Sequence, residues 1–287
     1  MAVSDELVSL GCDYITVTDA GGADNYPLRN LASGIFRHQA TTGNRPRSWG
    51  LSGFRGFKCG GVEVGTREND LIVRLSSDVA QRSWKQCAAL AASVTRFDVQ
   101  ATFRVDGSVT SRIDSYREQA QLDSGKTGHK KVVRWVADNR GGYTLYLGAR
   151  ESLVFGRIYD KHVQSRMDHY KQCIRFEVQY QREAARVMVN RCLSTGSPIP
   201  HFASGCREFF SGRGVDLRLQ YVDGATMSCS RRRSDADRNL AWLSASVRPT
   251  VLRLMAEGRG EEVLRALGLV VDEADDMDHV EELGQTM

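Results

Sequence analysis

The chain of 287 residues contains no long apolar run, and this absence excludes one large class of proteins. A helix that crosses a membrane needs about 18 or more consecutive apolar residues, and no such stretch occurs. Residues 1–10 also lack the basic and then apolar pattern of a secretion signal. We therefore expect a cytoplasmic protein that has no membrane partner.

Paired cysteines are missing too. The seven cysteines are scattered, their number is odd, no two form a CxxC motif, and none lies at zinc-ligand spacing from a histidine. This pattern predicts reduced, mostly buried thiols. A phosphate-binding glycine loop is also absent, because the glycines between residues 53 and 61 do not lead from a strand into a helix.

The net charge of +4 conceals an acidic end on a basic body. Residues 272–287 contain seven acidic residues and no Lys or Arg, and without them the chain has 39 basic and 28 acidic residues. A basic body favours a polyanionic partner, whereas an acidic end is typical of a disordered, solvated tail. We expect one domain over residues 1–225, a C-terminal helical extension over 226–271 and the tail over 272–287.

Three segments alternate between apolar and polar residues, which predicts strands with one buried and one polar face. These segments are residues 95–103, 153–161 and 173–181. Other patterns predict further strands at 12–18, between 49 and 75, and at 143–147. Helical spacing predicts helices at 27–36, 78–93, 109–122 and 182–193. The predicted fold class is α+β, a mostly antiparallel β-sheet with helices packed on one face.

The polar faces of the three alternating segments carry several charged residues and a tyrosine: Arg96, Asp98, Arg157, Tyr159, Lys161, Arg175 and Glu177. On a single strand such a mixture is usual for a solvent-exposed face. Each of the three strands, however, places an arginine two residues from an Asp, Tyr or Glu, and this repetition predicts a functional site. An ion pair with Arg96 or Arg175 is the competing interpretation of Asp98.

The same segments carry a family resemblance. TRFDVQATF, YTLYLGARESLVFGRIYDK and IRFEVQYQRE, in this order, resemble the Rep_trans family of replication initiation factors. The opening CDYITVT and the closing RNLAWLSASVRPTVLRLM extend the likeness to roughly residues 12–270. Its most specific block contains Gly148, Arg150 and Ser152, followed by the RIYDK motif at residues 157–161. That family includes plasmid rolling-circle initiators, phage initiation proteins and some conjugative relaxases.

The resemblance implies a role for each central residue. Tyr159 corresponds to the tyrosine that attacks the DNA nick site, with Arg157 and Lys161 beside it in the same motif. Asp98 and Glu177 correspond to the carboxylates that hold a divalent metal, Mg²⁺ or Mn²⁺. The implied function is a rolling-circle initiator that forms a 5′-phosphotyrosyl intermediate, frees a 3′-OH and later rejoins the strand. A relaxase that nicks a transfer origin is the alternative.

Two positions depart from the plasmid-type pattern of that family. Thr102 and Gln179 stand where further acidic residues occur, so the metal would be held by two carboxylates and waters, or with a third ligand that the sequence does not identify. The His-hydrophobic-His metal motif of other rolling-circle enzymes is also absent. These departures keep open a catalytically silent DNA-binding regulator on the same scaffold. Tyr146 is the reserve candidate for the nucleophile.

The implied chemistry suits these residue types. A tyrosine oxygen can form a covalent bond with a 5′-phosphate, but a phenol is ionised only about one part in 10³ at pH 7. Arg157 and Lys161, expected on the same strand face as Tyr159, should favour the phenolate and neutralise the pentavalent phosphate. Carboxylate oxygens are suitable ligands for Mg²⁺ or Mn²⁺.

DNA recognition is expected to involve cations outside the catalytic motif as well as beside it. The candidates are Arg96, Arg150, Arg175, Lys130, Lys131, Arg231, Arg232 and Arg233. Basic side chains of this kind contact phosphates, although those on solvated loops need no function. The expected partners are single-stranded or hairpin origin DNA, a host helicase and a host polymerase, with homodimerisation left open.

Overall fold

The computed structural model describes residues 5–20, 26–126, 133–137, 142–217, 251, 254–255 and 257–266. The chain forms two compact units, Met1–Met227 and Ser228–Met287. The predicted acidic tail and most of the predicted C-terminal helical extension lie outside the described residues. Among the helices that are described, none has the length and apolar character needed to cross a membrane.

The described strands form one ten-stranded sheet in the first unit. They are β1 (Glu6–Asp19), β2 (Arg47–Leu51), β3 (Phe54–Cys59), β4 (Val62–Arg67), β5 (Asp70–Ser76), β6 (Ser93–Arg104), β7 (Val133–Ala137), β8 (Tyr143–Leu147), β9 (Val154–Asp160) and β10 (Cys173–Gln181). Their order is β2-β3-β4-β5-β1-β6-β10-β9-β8-β7, and every neighbouring pair is antiparallel. The sheet therefore has β1 and β6 near its centre.

Six helices are described in the first unit beside the sheet. They are α1 (Tyr26–Thr41), α2 (Ser77–Leu90), α3 (Val109–Lys126), α4 (Lys161–Ser165), α5 (Glu183–Ser194) and α6 (Ile199–Ser211). A 3-10 turn spans Asp168–Tyr170, and the second unit contains helix α7 (Gly260–Ala266). The predicted α+β class is confirmed.

Aromatic packing fixes helices α2, α3 and α6 on one face of the sheet. Trp84 of α2 and Phe202 of α6 contact Phe97 of β6 with ring centroids 5.2 and 6.0 Å apart, and Tyr116 of α3 contacts Phe176 of β10 at 5.3 Å. Burial of such a side chain contributes about 1.5–3 kcal/mol, and truncating Phe176 to alanine would cost about 3–5 kcal/mol. The alternation of β6 and β10 thus leaves their polar side chains on the opposite face.

Several elements were not predicted from the sequence, among them strand β7, helices α4 and α6, and the 3-10 turn. Helix α6 begins beside Pro198 and contains Pro200 and Gly205, residues that normally argue against a helix. Pro200 is tolerated because the first helical N–H groups need no partner within the helix. Gly205 is required by packing, since a Cβ there would lie 2.6 Å from the Tyr180 hydroxyl.

A β-bulge interrupts the pairing of β1 with β6. Cys12 lies opposite Val99 and Tyr14 lies opposite Asp98, so Asp13 is one extra residue on β1. A bulge re-aims the side chains around it. Cys12 is buried in the apolar core, whereas the Asp13 carboxylate lies on the polar face of the sheet.

Candidate functional site

Strands β6, β10 and β9 lie side by side, so the three alternating segments form one continuous surface. The register sets Glu177 opposite Arg157 and Arg175 opposite Tyr159. Asp98 pairs with Gln179 and is therefore the diagonal neighbour of Glu177, a relation that corresponds to about 7–8 Å. The structure thus brings the predicted phenol, two acids and several cations onto one face.

Most of this charged cluster is buried. Asp98 is 0% exposed, Glu177 is 1% exposed and Tyr159 is 7% exposed. Burial of charged groups is costly unless they are paired and hydrogen-bonded. Ion pairs and hydrogen bonds with neighbouring side chains satisfy these buried groups. The sequence pattern did not reveal this pairing.

Glu177 is the centre of the cluster. Its Oε2 accepts a hydrogen bond of 2.9 Å from the Tyr159 hydroxyl, and its Oε1 accepts one from the Arg157 guanidinium. Burial alone would raise the pKa of Glu177, but the attraction of Arg157 and these hydrogen bonds hold it below the ordinary value. Glu177 is therefore an ionised acceptor for the phenolic proton.

The electrostatics around Tyr159 differ from the expectation that nearby cations would favour its phenolate. Burial raises the pKa of the phenol well above 10, and the negative charges of Glu177 and Asp13 raise it further. Arg175 and Arg157 oppose this rise without reversing it. Tyr159 is consequently a protonated donor in this structure, because burial and the surrounding acids together outweigh the cations.

Asp98 forms an ion pair with Arg96, as the competing interpretation of this residue proposed. The Arg96 guanidinium binds both carboxylate oxygens, with Nε 2.8 Å from Oδ1. Burial raises the pKa of Asp98 to about 7, Arg96 opposes the rise, and Glu177 adds to it by repulsion. An additional cation that approaches a carboxyl group in this state stabilises its ionised form and lowers its pKa.

Arg175 was predicted to contact DNA, but the structure places it beneath the surface. Its Nη1 donates to Asp13 Oδ1 at 2.7 Å and its Nε donates to Thr102 Oγ1 at 2.9 Å. The side chain is 2% exposed, and the Tyr170 ring lies 5.6 Å from its guanidinium carbon. Here Arg175 joins β1, β6 and β10 as a buried residue.

Asp13 is a member of the cluster that the sequence analysis missed. Burial raises the pKa of its carboxyl, Glu177 adds to the rise, and Arg175 and Lys161 oppose it. An aspartate within the otherwise apolar and β-branched CDYITVT segment was the available signal. Because simple alternation does not show a bulge, the pattern could not indicate which face Asp13 occupies.

Lys161 follows the end of strand β9 instead of belonging to it, but its ammonium group remains near enough to Arg175, Asp13 and Glu177 for each to affect its pKa. Strand β9 ends at Asp160, whose carboxylate accepts a 3.0 Å hydrogen bond from the Val163 N–H and caps helix α4. Lys161 is the first residue of that helix, and its Nζ donates to Gln164 at 2.7 Å. Burial, followed by repulsion from Arg175, lowers the pKa of Lys161 to about 8.

The other predicted site residues lie farther out or are not described. Arg150 is exposed in the turn between β8 and β9, and Tyr146 lies on β8 opposite Arg157. The predicted DNA contacts Lys130, Lys131, Arg231, Arg232 and Arg233 fall outside the described residues. Within the cluster, the side chains of Arg96 and Arg157 are the most accessible cations, at 27% and 32% exposure.

Comparisons with known proteins establish the family of the chain. The sequence pattern of the family described as replication initiation factor matches residues 92–267, which is more than half of the chain. The chain belongs to the replication initiation factor family. The matched segment contains Asp98, Tyr159 and Glu177, whereas Asp13 and strands β1–β5 precede it. No curated protein matches the sequence.

A solved structure supports the fold of this family member. The chain resembles a rolling-circle replication initiator protein from Geobacillus stearothermophilus, with a TM-score of 0.50 and 19% identity, over 70% of this chain and 85% of that one. At this identity the likeness shows the fold alone. The α+β sheet with its helices is thus shared with that initiator.

The donor chemistry of the site fits the divalent metal that the family resemblance implies. Asp13, Asp98 and Glu177 supply carboxylate oxygens, and burial, together with repulsion from Glu177, raises the pKa of Asp13 and Asp98. Over the described part of the chain, however, no three His, Cys, Asp or Glu side chains converge in a geometry ready for a metal. Arginines occupy their oxygens instead.

Proposed function

We propose that this replication initiation factor nicks and rejoins one strand of origin DNA, with Tyr159 as the nucleophile. The observation that carries this proposal is the hydrogen bond from the Tyr159 hydroxyl to Glu177 within a cluster of arginines. A nucleophile, an adjacent proton acceptor and cations that can stabilise a phosphate are the parts that covalent phosphoryl transfer requires.

The covalent step moves one phosphate from DNA to the enzyme. The Tyr159 oxygen attacks the scissile phosphorus, the new O–P bond forms, and the bond from phosphorus to the 3′ oxygen breaks. The phenolic proton passes to Glu177, which lies 2.9 Å away. The departing 3′ oxygen takes up a proton, and Lys161, with its pKa lowered to about 8, is the proposed donor. The reverse sequence rejoins the strand.

Arg157 links DNA binding to the activation of Glu177. In the structure its guanidinium binds Glu177 and lowers the pKa of that carboxyl, which makes Glu177 a weak base. The Arg157 side chain is about one third exposed and can turn to an incoming phosphate. Release of Glu177 would raise its pKa and strengthen it as a base for Tyr159, so activation would follow from substrate binding.

Asp98 and Glu177 are the proposed holders of Mg²⁺ or Mn²⁺, and Asp13 is the third acid that the sequence left unidentified. Such a cation, when bound, polarises the scissile phosphate and stabilises charge on the leaving oxygen. The protein's own part is to release these carboxylates from Arg96, Arg157 and Arg175. The guanidinium of Arg96, which is 27% exposed whereas Asp98 is fully buried, then becomes available to the DNA backbone.

The proposed substrate is single-stranded or hairpin DNA of the replicon's own origin, because Tyr159 must reach a backbone phosphate. The freed 3′-OH would prime a host polymerase behind a host helicase. Rolling-circle replication is favoured over transfer-origin nicking by the likeness to the rolling-circle initiator fold.

Incubation of the purified protein with supercoiled origin DNA and Mn²⁺ tests the proposal. The expected products are a nicked circle and a protein covalently bound to its 5′ end, with the adduct mapped to Tyr159 by mass spectrometry of the digested protein. DNA binding without cleavage in any divalent metal would instead identify the catalytically silent regulator. Cleavage through another residue would refute the role of Tyr159.

A further inference from the structure

A row of aromatic rings and guanidinium groups leads from the catalytic cluster toward the far edge of the sheet. The guanidinium carbon of Arg96 lies 4.1 Å from the centroid of the Tyr14 ring. Arg74 lies 5.3 Å from the same ring and 5.6 Å from the ring of Trp49. The row thus connects Asp98, through its partner Arg96, to β2, and we call Arg96, Tyr14, Arg74 and Trp49 the aromatic track.

Trp49 is the last residue of the aromatic track, and its ring lies over glycine positions of the sheet. In register with Trp49 lie Gly56 of β3 and Gly65 of β4. A Cβ at Gly65 would lie 2.6 Å from the indole ring, so the ring rests directly on the backbone of β4. Because one face of the indole covers the sheet and Trp49 remains partly exposed, an accessible aromatic surface is left for a ligand.

The charges around the track suit a polyanion. Arg47 and Lys58 pair across β2 and β3, are exposed, and share the Trp49 face by strand alternation. Glu63, which lies opposite Lys58 on β4, forms an ion pair of 2.7 Å with Arg74. The rim beside Trp49 therefore presents cations, with its neighbouring carboxylate already neutralised.

From this arrangement we propose that the unpaired DNA strand flanking the nick site runs along the aromatic track and stacks a base on Trp49. The inference rests on the proposed function, because it assigns a subsite to the same substrate. The track crosses from β6 to β2, five strand spacings or about 24 Å, which is long enough for several nucleotides.

Single-stranded DNA fits this surface better than a duplex. A flat aromatic surface binds a base by its π-face, which is accessible in a single strand and covered by neighbouring bases in a duplex. Cations beside the ring bind the backbone without regard to sequence. The subsite therefore holds the strand in a sequence-tolerant manner and delivers its phosphate to Arg96 and Arg157.

The test measures binding of a fluorescein-labelled oligonucleotide of about 20 deoxythymidines to the full-length protein. Trp49→Ala should weaken binding roughly 5- to 100-fold, since stacking of one base has an effect of that size. The dependence on salt should stay unchanged, because no phosphate contact is lost. Lys58→Gln, by contrast, should reduce the salt slope by about 0.7.

Trp135 provides the matched control. It lies at the opposite edge of the sheet on β7, where its ring stacks on Tyr143 at 4.8 Å. Trp135→Ala should leave the affinity for the oligonucleotide within about 2-fold of wild type at a salt concentration where the stacking effect is resolved. Circular dichroism and thermal melting of each variant establish that it is folded.

Base removal in the DNA makes the test specific for stacking. A series of oligonucleotides with one abasic site is scanned, and the position that weakens wild-type binding should have no further effect on Trp49→Ala. Quenching of tryptophan fluorescence by the oligonucleotide should fall in Trp49→Phe, which retains an aromatic surface and binds more tightly than the alanine variant.

The outcomes separate this inference from the proposed function. Equal affinity of folded Trp49→Ala and wild type, or an equal loss with a duplex of the same length, overturns the aromatic track as a single-strand subsite. Trp49-dependent binding of the oligonucleotide without any Tyr159 adduct upholds the track and refutes the nicking mechanism. If the protein forms the Tyr159 adduct but binds the oligonucleotide equally well without Trp49, the nicking mechanism is upheld and the aromatic track is refuted.

Discussion

The polar face of the sheet has two halves that treat charge differently. The charged half, on β6, β9 and β10, buries Asp98, Tyr159 and Glu177 and satisfies them with arginines. The aromatic half, on β1–β5, places Trp49 over glycine and intersperses rings with guanidinium groups. Buried acids change the protonation of their neighbours, whereas a flat ring over backbone provides a surface for stacking. We therefore propose that the charged half carries out the reaction and that the aromatic half positions the DNA strand.

The largest effect should come from Tyr159→Phe, which removes the proposed nucleophile. We expect no covalent adduct and a fall in nicking of at least about 10³-fold, while DNA binding stays within about 2-fold. Labelled origin DNA on a denaturing gel provides the measurement. Tyr146→Phe is the control, because it removes the same atom from the neighbouring strand and should retain the adduct. Adduct formation by Tyr159→Phe would locate the nucleophile elsewhere.

A smaller loss, about 10²- to 10⁴-fold, is expected from Glu177→Gln. The amide keeps the shape of the side chain but cannot take the phenolic proton or balance the charge of Arg157. Single-turnover nicking at saturating DNA separates this loss from a loss of binding. Glu151→Gln, a change of an exposed acid in the β8–β9 turn, should retain the wild-type rate. Comparable rates for wild type and Glu177→Gln would contradict the base role.

The pH profile should reveal Lys161. If its ammonium protonates the leaving oxygen, wild-type nicking falls up to about 10-fold per pH unit above about pH 8, the lowered pKa of Lys161. Lys161→Arg retains a positive charge that does not titrate in this range and should lose the falling limb. An identical falling limb in both proteins would assign it to another group.

The smallest effect concerns the stability contributed by Asp98. Its pKa is about 7 in the folded chain and about 4 when unfolded, so folding takes up a proton between these values. The contribution of Asp98 to the free energy of unfolding therefore falls as the pH rises from about 4 to about 7. Thermal melts of wild type should show this fall relative to Asp98→Asn.

The stabilisation of the protein by a bound metal should also depend on the ionisation of Asp98. A cation that needs ionised Asp98 should raise the melting temperature of wild type more at pH 7.5 than at pH 5.5, and Asp98→Asn should lose most of this stabilisation. Stabilisation by Mn²⁺ that is equal at both pH values and in the variant would remove Asp98 from the ligands.

Alternation was sufficient to place the strands that carry Asp98, Tyr159 and Glu177, since side chains two residues apart must share a face. It was insufficient at Asp13 and Lys161. At Asp13 an extra residue breaks the period, and at Lys161 the cap formed by Asp160 ends the strand one residue earlier. Helix α6 escaped prediction because packing against the sheet compensates for its proline and glycine.

By itself the sequence determined the α+β class, the apolar and polar faces of the central strands, and the family to which the chain belongs, because all three follow from local periodicity and short motifs. Only the tertiary structure decided which charges meet. Arg175 turned inward to Asp13, and Tyr159 became a protonated donor to Glu177, since pairing energy and pKa depend on burial and on neighbours that are distant in sequence.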